Sequence, residues 1–204
     1  MITRIDLGCG PKKKEGCFGI DSVPNPGVDC VLNITKDRLP FEDGTIDYIF
    51  TSHCLEHLNS AHHTFKEISR VARDGAILDI WLPYLWSVDA FLPSHIAYWG
   101  EGFYEHICLR HADVWRKSLN KSWLWRELTY SVYAETLQDM ESHGVDIPFA
   151  IKYFKGVAYE FNAVLELRND LTLPASKPRK SYCVNRQAQK VPFEATSQSF
   201  LRSA

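Results

Sequence analysis

The sequence predicts a doubly wound α/β fold with a mostly parallel sheet, and three observations support this. A short apolar segment at the amino terminus runs into Gly8 and Gly10, as a strand does when it ends in a ligand-binding turn. Further short segments rich in apolar and β-branched residues follow, which is typical of strands buried on both faces. Between two of these segments the apolar residues change to helical spacing. This alternation indicates parallel strands joined by crossover connections.

Five strands are predicted in the first part of the chain from their apolar content. They span residues 4–7, 17–20, 28–32, 46–51 and 76–82. A crossover helix is predicted over 60–72, with Asn59 or Ser60 as its cap and Gly75 as its end. The connection over 11–16 is too short for a full helix, so the early helical layer should be minimal.

The second half of the chain is predicted to close the sheet. A helix over 134–142 ends before Gly144. The segments 147–153 and 159–167 have the composition of an antiparallel strand pair, with a turn at Lys155 and Gly156. We therefore expect one domain over residues 1–170 whose last strand is antiparallel.

From residue 171 the composition becomes basic and polar, which predicts a C-terminal tail over 171–204. A solvated, mobile tail is the expected state, although Tyr182, Phe193 and Phe200 could anchor it.

Composition restricts the class of protein. The 204 residues are 45% hydrophobic and 24% charged, which is typical of a globular domain with a core. The net charge of −2 gives no indication of nucleic-acid binding, and no apolar run is long enough to span a membrane. Arg4 and Asp6 stand where a signal peptide would be apolar, and the six cysteines contain no Cys-x-x-Cys pair. We expect a cytoplasmic protein with reduced thiols.

Three sequence blocks carry the chemistry. The first is the strand that ends in Gly8-Cys9-Gly10, with Asp21 closing the next apolar segment. The second is LPFEDGTIDYIFTSHCLEHL over 39–58, and the third is EISRVARDGAIL over 67–78. In this order and spacing they resemble class I S-adenosylmethionine (SAM) dependent methyltransferases of the methyltransferase type 11 group. The resemblance covers roughly residues 3–83, and more loosely 137–168, and implies a Rossmann-like sheet.

The resemblance also implies the residues of a SAM site. They are Asp6, Gly8, Cys9, Gly10, Asp21, Asn33, Ile34, Ser52 and His53. Backbone at Gly8 to Gly10 would line the methionine part of SAM, and Asp21 would accept from the ribose hydroxyls. Asn33 stands where the family usually has an Asp that meets the adenine amine. An NAD site is not indicated, because Pro11 follows Gly10 and no third glycine opens a helix.

Two histidines are candidates for a general base. Methyl transfer from a sulfonium is a displacement in which a base removes the acceptor's proton where needed. His53 follows the fourth predicted strand, and His95 lies in a Pro-Ser-His stretch after the fifth. An imidazole with a pKa near neutrality suits this task.

Two other classes of function stay open. Residues 53–57 read H-x-x-E-H, which is a zinc peptidase pattern. Because this segment begins at the end of a predicted strand, the two histidines need not share a helical face, and we expect no metal there. A SAM-binding interaction protein without turnover is the second alternative, since Asn33 departs from the family pattern.

Substrate choice is expected in the aromatic segment over 83–133. Its many Trp, Tyr and Phe residues either form a pocket or pack that segment on the sheet. We expect a small-molecule or glycan acceptor, methylated on oxygen or nitrogen. Because the early helices are minimal, one sheet face should need a cover, and the tail, the aromatic segment or a second subunit of a homodimer could provide it.

Overall fold

Nine strands form one sheet in the computed structural model, which describes residues 2–193. In chain order they are β1 (Arg4–Leu7), β2 (Phe18–Asp21), β3 (Cys30–Val31), β4 (Ile46–Ser52), β5 (Ala72–Pro83), β6 (Ser122–Val132), β7 (Ala158–Arg168), β8 (Arg179–Cys183) and β9 (Val191–Pro192). Their order across the sheet is β3-β2-β1-β4-β5-β7-β6-β8-β9. The first five strands are parallel, and β7 is antiparallel to both of its neighbours. The predicted doubly wound α/β class is confirmed.

Five α-helices lie between these strands. They are α1 (His62–Val71), α2 (Glu101–Glu105), α3 (Ala112–Leu119), α4 (Ala134–Ser142) and α5 (Ile147–Tyr153). In residues 2–193, the connections from β1 to β2, from β2 to β3 and from β3 to β4 contain no α-helix. This confirms the expected minimal early helices.

The two faces of the sheet differ sharply. On one face Ile5, Ile49 and Leu78 pair across β1, β4 and β5, and all three are fully buried. Aromatic residues of the first helices pack on this face, with Phe65 of α1 and Trp123 of β6 5.1 Å apart between ring centroids. We call the other face, which carries Asp6, Phe50, Asp79 and Trp81, the polar face.

The polar face receives loops where the early crossover helices are absent. The Lys14 ammonium lies 4.5 Å from the centre of the Phe50 ring, and the Arg186 guanidinium lies 4.4 Å from the Trp81 ring. Tyr48, Ile77 and Val164 on this face stay partly exposed. The expectation of an incompletely covered face therefore holds within the described residues.

The segment over 147–153 was predicted to be a strand, and this is wrong: it forms helix α5. Asp146 caps the helix by accepting a hydrogen bond from the Phe149 backbone at 2.9 Å, and Pro148 occupies the first turn. The antiparallel partners of β7 are instead β5 and β6, the latter from the aromatic segment. An acidic cap followed by proline was the signal in the sequence that favoured a helix.

Two details of the crossover helix were also wrong. Helix α1 begins after Ala61 rather than at an Asn59 or Ser60 side-chain cap. It ends at Val71, and β5 begins at once, so Gly75 lies within a strand rather than after a helix. Gly75 has a positive φ of 83°, at the point where the pairing of β4 with β5 changes register.

Part of the expected mobile tail is ordered as sheet. Residues after 171 provide β8, parallel to β6, and β9, antiparallel to β8. Tyr182 is buried and Phe193 stacks on Tyr130 at 5.8 Å, so two of the expected anchors act as such. Phe200 lies outside the described residues.

None of the helices within residues 2–193 is both long and apolar enough to cross a lipid bilayer.

Candidate functional site

Two clefts open at the edge of the sheet where the parallel strands end. The first, of about 460 Å³, lies against the ends of β1, β2 and β4 and is lined by Gly8, Asp21, Ser22, Leu32, Asn33, Ile34, Thr35, His53, Cys54, His57, Leu58 and Asn59. The second, of about 570 Å³, lies on the polar face. Its lining is Asp6, Gly8, Cys9, Lys12, Lys14, Glu15, Phe50, Ser52, Asp79, Trp81, Arg186 and Gln187. Ligands of open α/β sheets bind at this edge.

Gly8 lines both clefts, and the consecutive residues Ser52 and His53 line one each. The boundary between the clefts is therefore built from the ends of β1 and β4. At Gly8 the φ is +69°, and a Cβ there would overlap the Cys54 side chain. Glycine is needed because the chain passes this close to the end of β4.

Asp21 organises the glycine turn. One carboxylate oxygen accepts a hydrogen bond from the Gly10 backbone at 2.8 Å, and the other accepts from the Val23 backbone at 3.0 Å. Gly10 has a φ of +52°, and the space where a Cβ would stand is open. The carboxylate faces the first cleft with acceptor capacity left for a diol.

Asn33 and Ile34 line the same cleft after β3. The side-chain oxygen of Asn33 accepts from the Thr35 backbone at 2.9 Å and from the Thr35 hydroxyl at 2.7 Å. Because a carbonyl oxygen has two lone pairs, the amide NH₂ is the group that Asn33 has left for a ligand. The expected acceptance from an adenine amine would require Thr35 to move. Ile34 is buried, and its backbone carbonyl accepts from the Thr64 hydroxyl of α1 at 2.8 Å.

Asp6 and Cys9 line the second cleft rather than the first. The Asp6 carboxylate is buried and accepts from the Lys14 backbone at 2.8 Å. Burial raises the pKa of Asp6, and burial likewise raises the pKa of the Cys9 thiol to about 11. The thiol is therefore protonated near neutral pH and is no nucleophile.

His53 stands at the boundary in a strained backbone, with a φ of +50° that is uncommon for a residue other than glycine. Its Nε2 is 3.0 Å from Oε2 of Glu160, and its Nδ1 is 3.5 Å from Oε1 of Glu56. The hydrogen bond with Glu160, followed by the nearby Glu56 carboxylate, raises the pKa of His53 to about 9. The premise of a near-neutral imidazole is wrong: His53 is an imidazolium at pH 7.

His95 lines neither cleft. It is buried behind Glu56, with Nε2 4.0 Å from Glu56 Oε1, and its ring meets the edge of the His57 ring at 4.9 Å. His53 and His95 therefore do not line a common cleft, although both approach Glu56 Oε1. The H-x-x-E-H segment is no single helix, because His53 precedes the short 3-10 turn Leu55–His57.

Glu160 and Arg186 were not predicted from the sequence. Glu160 is buried on β7, and Arg186 donates to its carboxylate at 2.6 Å and to the Ser52 hydroxyl at 3.0 Å. Burial opposes ionisation of Glu160, but hydrogen bonds from His53 and Arg186 outweigh it and lower its pKa to about 2. Two polar residues at alternate positions of an otherwise apolar stretch of β7, Glu160 and Asn162, were the available signal for Glu160.

The aromatic segment contributes mainly packing. Trp99, Tyr104 and Trp125 are buried, and the Tyr104 ring stacks on Trp125 at 5.4 Å. Packing accounts for Tyr104 and Trp125, whereas Trp99 also lines a third cleft of about 310 Å³ together with Tyr98, Phe103 and Trp115, so both expected roles occur in this segment. The aromatic residues that line the second cleft, Phe50 and Trp81, come from β4 and β5 instead.

Comparison with known proteins agrees with this geometry. Residues 20–80 match a family described as "Methyltransferase domain". A curated relative, norajmaline N-methyltransferase of Rauvolfia serpentina, is 31% identical over an alignment of 96 residues that covers 35% of this chain. The match spans only about a third, 32%, of that relative's length.

The fold itself recurs in a solved SAM-dependent methyltransferase from Archaeoglobus fulgidus. The TM-score is 0.52 at 12% identity, and the alignment covers 81% of this chain and 86% of the other. The fold and the family match thus agree with the resemblance found in the sequence, and the cofactor that they imply is SAM.

Proposed function

We propose that this chain, which has the class I SAM-dependent methyltransferase fold and matches the methyltransferase family over residues 20–80, transfers a methyl group from SAM to an oxygen or nitrogen of a small molecule or glycan. The single observation that carries the proposal is the first cleft. It joins the glycine turn, the Asp21 carboxylate and Ile34 at the ends of β1, β2 and β3.

The residues of the first cleft suit the adenine, ribose and methionine parts of SAM in turn. Asn33 and Ile34 suit the adenine, one by its amide and the other by its apolar side chain. Asp21 suits the ribose diol, and the backbone at Gly8 suits close approach of the methionine part. The reactive methyl then lies at the boundary with Ser52 and His53.

The acceptor enters from the second cleft. Its lining includes the Phe50 and Trp81 rings, over which Lys14 and Arg186 lie, and polar groups at Ser52, Asp79 and Gln187. Such a mixed lining suits a planar ring or a sugar that also carries hydroxyl or amine groups. Because the clefts meet at Gly8 and the Ser52–His53 pair, donor and acceptor can align across that boundary.

His53 acts at this boundary in one of two ways. As a general base it would lose its proton first, which the Glu160 and Glu56 carboxylates oppose. Otherwise His53 stays positively charged between the two carboxylates. The methyl group is then transferred to a neutral nucleophile because the protein holds donor and acceptor close together and aligned. His95 acts only indirectly, through Glu56.

We also propose that a second copy of the chain covers part of the polar face. The proposal is supported by the missing early crossover helices and by the partial exposure of Tyr48, Ile77 and Val164.

The proposed activity is tested by release of S-adenosylhomocysteine when the protein is incubated with SAM and a panel of sugars, phenols and amines. Turnover with at least one acceptor class, lost in Asp21→Ala, supports the proposal. Tight SAM binding without product for any acceptor class favours the alternative, a SAM-binding interaction protein.

A further inference from the structure

Beside the first cleft lies a group of side chains to which the proposed function gives no part in binding SAM or the acceptor. We call Glu56, His57 and His95 the Glu56 cluster, because one potential ligand atom from each lies within 4.8 Å of the others. The Glu56 side chain is 2% exposed, and neither of its carboxylate oxygens has a hydrogen-bond partner among the described residues. A buried carboxylate without hydrogen bonds is costly, and the His53 imidazolium 3.5 Å away is shared with Glu160, so the cluster calls for a further cation.

Neither of the two nearest imidazole nitrogens makes a hydrogen bond to the Glu56 carboxylate. Nδ1 of His53 is 3.5 Å from Glu56 Oε1, and Nε2 of His95 is 4.0 Å from the same oxygen. His53 makes its closer contact with Glu160, at 3.0 Å.

The two histidines of the cluster are held by the backbone. Nδ1 of His57 lies 2.9 Å from the Ser94 carbonyl, and because a carbonyl only accepts, Nδ1 carries the proton and Nε2 keeps a free lone pair. The Ile96 and Ala97 backbones donate to the Glu56 carbonyl at 2.9 and 3.0 Å. These bonds fix the segment that carries His95 against the turn that carries Glu56 and His57.

We propose that the Glu56 cluster binds one divalent transition-metal ion of the zinc class, through a Glu56 oxygen and Nε2 of His57 and His95. Two imidazoles and a carboxylate are a donor set that such ions prefer. Two ligands on a tetrahedral ion with bonds of about 2.0–2.1 Å stand about 3.3 Å apart, so the 4.0 Å between His95 and Glu56 would close by less than 1 Å. His57 also lines the first cleft, so an open coordination position would face it.

This site differs from the one that the H-x-x-E-H pattern suggests. That pattern pairs His53 with His57, whereas the structure turns His53 to Glu160 and brings His95 to Glu56 from another part of the chain. The proposal does not depend on methyl transfer, and it is tested without SAM.

The test uses the full chain, stripped with a chelator and titrated with Zn²⁺ alone and with Co²⁺ alone. We expect one equivalent per chain with micromolar or tighter affinity, and visible absorption from a four- or five-coordinate Co²⁺ site. His57→Ala and His95→Ala should each weaken binding at least about tenfold, whereas His53→Ala and the surface control His62→Ala should not.

Circular dichroism identifies any variant that fails to fold, and His57→Gln and His95→Gln then replace the alanine variants. The wild-type titration is decisive by itself. If the stripped protein takes up no stoichiometric Zn²⁺ or Co²⁺, the proposal is wrong. Binding that is lost in His53→Ala but kept in His95→Ala would also overturn it, in favour of the H-x-x-E-H pair.

Discussion

At the scale of single residues, His53 has the most constrained environment in the site. Its positive φ turns the side chain back between Glu56 and Glu160, and these carboxylates favour the charged imidazole. With a pKa of about 9, about one hundredth of the molecules carry a neutral His53 at pH 7. If His53 acts as a general base, the rate at pH 7 is therefore limited by the small fraction of molecules in which His53 is neutral.

The pH dependence of turnover tests this role. If His53 is the base, turnover at saturating SAM and acceptor should rise about tenfold per pH unit from pH 7 and level off near pH 9. Glu160→Gln removes the largest cause of the raised pKa, so the plateau should begin at lower pH. His53→Ala should lower turnover by about two to four powers of ten without loss of SAM binding. A flat pH profile together with an active His53→Ala enzyme would show that His53 is not a general base and that positioning of donor and acceptor accounts for the rate.

Asp21 is expected to contribute directly to SAM affinity. Because it would accept from two ribose hydroxyls, Asp21→Ala should weaken SAM binding by about 1.5 to 3 kcal/mol in calorimetry. Asp21 also holds the Gly10 turn, so Asp21→Asn serves as a closer variant, and Asp139→Ala on the surface of α4 is the control. Unchanged affinity in folded Asp21→Ala would remove this residue from the site.

At the scale of elements, the segment between β8 and β9 links the C-terminal part of the chain to the site. Arg186 lies over the Trp81 ring and pairs with the buried Glu160, and it also reaches Ser52 at the boundary between the clefts. A basic residue in a segment with tail-like composition thus becomes part of the polar face.

Removal of Arg186 should destabilise the fold. Arg186→Ala leaves Glu160 buried with one partner fewer, which we expect to lower the free energy of unfolding by about 1–3 kcal/mol. The matched control is Arg179→Ala: its side chain is 85% exposed and pairs with Glu127, so its loss should cost less than about 1 kcal/mol. Chemical denaturation measures both, and equal effects would contradict a structural role for Arg186.

The elements that the sequence predicted well are those whose signal is local. The buried strand before Gly8 and the helix before Gly144 need only their own residues to be recognised. The strand over 147–153 failed because apolar content was weighed above the Asp146 cap and Pro148. β6 and β8 were missed because their strand character comes from pairing with β7 and β6, which are distant in the sequence.

At the scale of the molecule, the site residues also divide into those that the local sequence predicts and those that only the tertiary fold brings in. Gly8, Asp21, Asn33 and His53 line one cleft as the family blocks implied. Glu160 and Arg186 join them only through the antiparallel strand and the C-terminal extension, and no spacing in the sequence predicts those contacts.

The polar face leads to a prediction about assembly. If a second copy covers it, light scattering should give twice the mass of the chain, and Val164→Lys on that face should shift the protein towards monomer. Val114→Lys is the control, because Val114 is 59% exposed on α3, outside that face. A monomeric wild type at high concentration would contradict a homodimer.

Direct binding of the cofactor tests the central claim. Isothermal titration of the full chain with S-adenosylhomocysteine, and then with SAM, should give one site with low-micromolar or tighter affinity, since the glycine turn, Asp21 and Ile34 line one cleft at the ends of β1 to β3. NAD should give no heat of binding, because the turn has no third glycine to hold a pyrophosphate. Binding of NAD without binding of SAM or S-adenosylhomocysteine would contradict the account.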